Sequence, residues 1–135
     1  MDYLDQQAEK IRKKLTEEKH DVEVKTKQLE ADVKAVRELH RITDAVGFKF
    51  LFVVLDEDDC RIISAMFQLN LVNRETQAAI DPKEPAASIA KQLKAQGYAS
   101  IKMPGAKGVT LNKDDITVTI KREGKWLDCK MTIGL

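Results

Sequence analysis

Two hydrophobic periods divide this chain. Up to about residue 46, apolar side chains return every three or four positions; from Phe48 onward they run together or alternate. Residues 2–45 hold neither glycine nor proline and are dense in Glu, Lys, Gln, Leu and Ala, while Gly47 stands where a helix C-terminal cap belongs. The pattern predicts one helix over 1–46. At 1.5 Å per residue it would reach about 65 Å, more than a small domain can cover, so most of it is expected to project.

Leu4, Ile11, Leu15, Val22, Leu29 and Val36 fall at the a and d spacing of a coiled coil. The alternation fails at Glu18, Lys25 and Asp32, three successive d positions, and a shift to Val33 recovers part of the stripe. Charged d positions weaken a homodimer and favour a partner helix of matching charge. The expectation is a helix that pairs with a second copy or with another protein. Its last apolar residues, Val36, Leu39, Ile42 and Val46, are expected to dock on the globular part.

Beyond the helix, FKFLFVVL at 48–55 reads as a mostly buried strand, and the DEDD at 56–59 as a turn. Residues 61–72 alternate and predict a strand returning antiparallel to the first, with a helix as the rival reading. Pro85 opens a short helix ending at Gly97, Tyr98–Met103 suits a short strand, and PGAKG at 104–108 is a loop. Ile116, Val118 and Ile120, then Leu127, Cys129, Met131 and Ile133, describe a β-hairpin with one apolar and one polar face. The predicted fold class is α+β: a long N-terminal helix forming a coiled coil (1–46), then a compact interaction domain (47–135). That domain would hold a small, mixed, largely antiparallel sheet of about five strands with one packed helix.

An apolar strand ending in acids resembles a Walker B element, whose carboxylate helps hold Mg²⁺ beside phosphates cradled by a P-loop. No GxxxxGK[ST] exists here, and about 45 residues of charged helix stand where the P-loop would precede the strand. Nucleotide chemistry is set aside. Asp56, Glu57, Asp58 and Asp59 lack the DxDxDG spacing of a calcium loop, and neighbouring strand residues point to opposite faces. They read as solvated charges, or as a recognition surface for a basic partner. His20 and His40 have no HxxxH or HExxH companion. Cys60 lies beside acids, which raise a thiol's pKa and make it a poorer nucleophile. No serine has a base and oxyanion setting, and Cys129 reads as a small buried hydrophobe. No catalytic residue, cofactor or metal site is expected, and the protein is read as a non-enzyme.

With 23 basic against 22 acidic residues, no global field draws the chain to nucleic acid or membrane. The C-terminal third is locally basic, and Lys102, Lys107, Lys121, Arg122 and Lys125 are candidate phosphate contacts, with Trp126 and Tyr98 available to stack on bases. Tyr98, Trp126 and the acidic turn are equally candidates for a protein docking surface. No apolar run is long enough to span a bilayer, and the acidic N-terminus lacks a signal-peptide core. An intracellular, non-membrane protein with reduced thiols is expected.

The order helix-then-small-module resembles the layout of kinetochore subunits that carry RWD domains. The terminal hairpin departs from that domain, which ends in a helix, and no family follows. The reading is a non-catalytic protein–protein interaction or adaptor subunit. Its alternatives are a dimeric nucleic-acid-binding protein using the basic hairpin and a small viral- or plasmid-type inhibitor of a host protein.

Overall fold

The computed structural model describes residues 3–18, 22–72, 75–102 and 108–134, and all of their side chains except those of 14–18 and 22–25. Two helices, α1 (Tyr3–Glu18) and α2 (Val22–Asp44), occupy the stretch predicted to be one. They are not collinear. On a straight helix Asp5 and Arg37 would stand about 48 Å apart, yet their side chains form an ion pair. The chain therefore doubles back and α1 lies beside α2.

This corrects the projecting coiled coil. Leu4, Ala8, Ile11, Leu29, Val33 and Val36 are all buried in one apolar cluster with the residues of the sheet. The described part of the stripe that spacing assigned to a second molecule is covered within the chain. Leu15 and Val22, from the same predicted seam, lie outside the described side chains, as do Glu18 and Lys25. Asp32, the third charged d position, is only 3% exposed. It finds its countercharge internally, where Arg61 grips both carboxylate oxygens at 2.9 and 2.8 Å. The N–H of Ile62 also donates to Asp32 Oδ2, at 3.1 Å.

The C-terminal end of α2 behaves as the sequence predicts. Val36, Leu39 and Ile42 are buried and Val46 packs partly against the cluster. Gly47 takes φ +94, a left-handed conformation that lets the N–H of Phe48 return to the carbonyl of Thr43 at 3.0 Å.

The remaining elements are β1 (Lys49–Asp56), β2 (Arg61–Asn70), α3 (Lys83–Ala95), β3 (Ala99–Ile101), β4 (Val109–Lys113), β5 (Ile116–Glu123) and β6 (Trp126–Ile133). The architecture is α+β: three helices and a six-stranded sheet in the order β1-β2-β6-β5-β4-β3, with each neighbouring pair antiparallel. The β1–β2 return and the terminal hairpin follow the sequence reading. The short helix is present but begins at Lys83, with Pro82 at its N-cap and the expected opener Pro85 inside its first turn. Strand β4 does not: VTLNK offers too short an alternation to distinguish it from loop. Most of the predicted loop at 104–108 lies outside the described residues.

Alternation gives the sheet two unlike faces. Ala65, Phe67, Leu69, Leu127, Cys129, Met131, Val118, Ile120 and Leu111 are buried, and cross-strand register places them on one side. That side meets the helices. Thr117, Thr119, Lys130, Thr132 and Asp128 occupy the other, and no described helix lies over it. Both cysteines are buried and unpaired. Among the described residues no helix is long and apolar enough to cross a membrane.

Candidate functional site

Strand β1 was predicted to be mostly buried. It is instead an edge strand, bonded on one side only, to β2. The run FKFLFVVL misleads because a register shift between Phe50 and Phe52 turns two consecutive residues outward. Leu51 and Phe52 are each 44% exposed and Val54 is 40% exposed, while Val53 between them is buried. Large apolar side chains thus form a strip on the helix-free face. A groove of about 710 Å³ continues from this strip, lined by Lys49, Leu51, Gln68, Asn70 and Trp126.

Long exposed edge strands invite other strands, and natural proteins cover or charge them. Here the free edge of Val53 is met by Tyr3, whose hydroxyl donates to the Val53 carbonyl at 3.4 Å and accepts from its N–H at 3.5 Å. The Tyr3 ring also packs edge-on to Phe50, with centroids 5.8 Å apart. Helix α1 therefore guards the middle of the edge while leaving the outward strip open.

The other predicted docking residues separate. Trp126 is half-buried on the helix-free face, with Lys125 Nζ 6.0 Å from its ring centroid. Tyr98 is only 8% exposed and belongs to the core cluster, which removes it from any docking surface or base-stacking role. Burial, and then the nearby carboxylates of Asp114 and Asp115, push its phenol pKa up.

In the acidic turn, Asp56 accepts the N–H groups of Asp58 and Asp59, each at 3.1 Å, so its carboxylate shapes the turn. Glu57 faces Lys10 of α1 at 3.5 Å. Asp58 and Asp59 are exposed. Among the described residues no three His, Cys, Asp or Glu side chains gather as a metal site. His40 lies among rings, 5.3 Å from Phe50 and 6.0 Å from Phe67. His20 is outside the described residues.

The basic residues are divided by the sheet. Lys121 pairs across β5 and β6 with Asp128 on the helix-free face, whereas Arg122 pairs with Leu127 and turns to the other. The ammonium of Lys121 bonds Glu123 at 2.9 Å, which raises its pKa. Lys125 is exposed at the hairpin tip and Lys102 beyond the end of β3; Lys107 lies outside the described residues.

Sequence reasoning missed the outward strip. Its only trace was the length of the apolar run, which fits burial on both faces as well as a bulged edge. No family model matches the chain, and neither a characterised protein nor a solved structure matches it.

Proposed function

We propose that this protein is a non-catalytic protein–protein interaction module that docks through the outward strip of β1, with a second copy of the chain as its occupant. The observation that carries this is the adjacency of Leu51, Phe52 and Val54, three large apolar side chains exposed together on a sheet face without helices. Contiguous exposed apolar side chains are a feature of interaction sites, whereas apolar residues scattered singly over a surface are not.

A second copy fits for reasons of symmetry and charge. Two identical strips related by a two-fold axis are self-complementary. β1 begins at Lys49 and ends at Asp56, so antiparallel strips bring the basic end of each toward the acidic end of its mate. The described apolar seam of the helices is already covered within the chain, so the pairing is assigned to the sheet.

Light scattering across a concentration series tests the proposal. The native chain should approach twice the single-chain mass, and Phe52→Lys with Val54→Lys should hold it at one. Both substitutions are on the surface, so the melting temperature should barely move. A single-chain mass throughout, or a dimer indifferent to the two lysines, overturns it.

A further inference from the structure

A second concavity lies on the opposite side of the sheet, between the first turns of α3 and strands β4, β5 and β6. Its volume is about 720 Å³, inside the roughly 300–1,000 Å³ range of small-molecule sites. We propose that this cleft binds a small amphipathic carboxylate, an unbranched medium-chain fatty acid being the representative ligand.

The cleft exists because α3 presents alanines there. Ile89 and Leu93 fill the space over the sheet farther along the helix, and both are fully buried. Toward the N-terminal end, α3 offers only the methyl groups of Ala86, Ala87 and Ala90, and a cleft remains there, walled by Val109 and floored by the buried Ile120 and Leu127. The accessible parts of Ala87, Ala90 and Val109 face solvent across this cleft, and an alkyl chain laid there would add dispersion contacts that water does not supply. At Gly108 an added Cβ would lie 2.2 Å from the Ile120 carbonyl oxygen, so this wall requires glycine to approach β5 so closely.

Charge specifies the other end of the ligand. Lys83 and Arg122 stand on the rim, one from α3 and one from β5, and none of the described lining residues is acidic. Arg122 Nε donates to the Gly124 carbonyl at 2.9 Å, which anchors the guanidinium. The adjacent Glu123 carboxylate bonds Lys121. Backbone N–H groups at the start of α3 are already engaged, that of Lys83 by the Asp81 side chain and that of Glu84 by the Asp81 carbonyl. The two side-chain cations therefore supply the anion recognition, and guanidinium suits a carboxylate through paired N–H bonds.

The test is titration of the full chain with decanoate and, separately, decanol, followed by isothermal calorimetry and methyl NMR. Decanoate should bind one to one and saturate, shifting the methyl signals of Ala86, Ala90, Val109 and Ile120. Arg122→Gln should weaken decanoate at least fivefold while leaving decanol unchanged. Ala90→Leu should abolish both by filling the cleft; if that variant does not fold, Ala87→Leu on the same wall serves the same purpose. Absence of saturable binding overturns the proposal, as do shifts centred on Leu51, Phe52 and Val54, or equal loss of decanoate and decanol in Arg122→Gln. None of these outcomes depends on whether the β1 strip pairs.

Discussion

Arg61 of β2 holds Asp32 of α2 by two parallel hydrogen bonds, at 2.9 and 2.8 Å, in a site where the carboxylate is 3% exposed. Heptad spacing assigned this aspartate to a partner helix. Its partner is instead a strand of the same chain, 29 residues away.

Loss of one member of this pair should be costly, because the other is left buried and uncompensated. Asp32→Ala should destabilise the fold by about 3 kcal/mol, the lower end of the expected range, since Asp115 at 3.6 Å still offers Arg61 a carboxylate. The Ile62 N–H also loses its acceptor. Urea unfolding monitored by circular dichroism measures the change. A loss below about 0.5 kcal/mol, typical of a surface position, would contradict the internal pairing.

Ile11 distinguishes a docked α1 from a solvated one. It is 2% exposed, so Ile11→Ala should cost about 2–5 kcal/mol through lost burial and the cavity left behind. On a projecting helix the same change would be nearly neutral. The same unfolding measurement decides between them.

Alkaline pH should act through Cys129. Burial pushes its thiol from 9.0 up to about 12 in the folded chain. The sign follows from linkage: folding keeps the thiol protonated, so this contribution is complete below about pH 9. It is then lost as pH rises toward 12, a decline of a few kcal/mol in total. Cys129→Ala should flatten that part of the stability–pH curve relative to the native chain. The native fold should also react slowly with a thiol reagent at pH 8 and react at both cysteines once unfolded, because both are buried.

Much of the fold was legible because local pattern and final burial agree. Ile116–Ile120 and Leu127–Ile133 alternate over a short turn, and both strands place their apolar residues toward the helices. In β2 the alternation expected over 61–72 is largely kept, with Ala65, Phe67 and Leu69 buried. The alternation breaks at a register shift between Val54 and Leu55, beside which Ile62 is buried and Ile63 only partly so. The errors were tertiary. A heptad-like stripe has the same spacing whether it faces another molecule or its own chain, and Asp32 reads as a misfit until Arg61 is beside it. The outward strip on β1 depends on one bulge at Leu51, and neither propensity nor period locates such a bulge.

The burial of the N-terminal stripe within one chain is the premise that moves docking from the helices to the sheet. Spin labels at the exposed positions Gln6 and Lys34, read by electron–electron dipolar spectroscopy, test it most directly. Helices in contact lie roughly 8–10 Å apart, so α1 folded beside α2 should give a distance of roughly 20 Å or less with the label arms included. Diluting the labelled protein tenfold with unlabelled protein should leave that distance unchanged. A distribution near 42 Å, the span of a straight helix at about 1.5 Å per residue, or a short distance that fades on dilution, would contradict it.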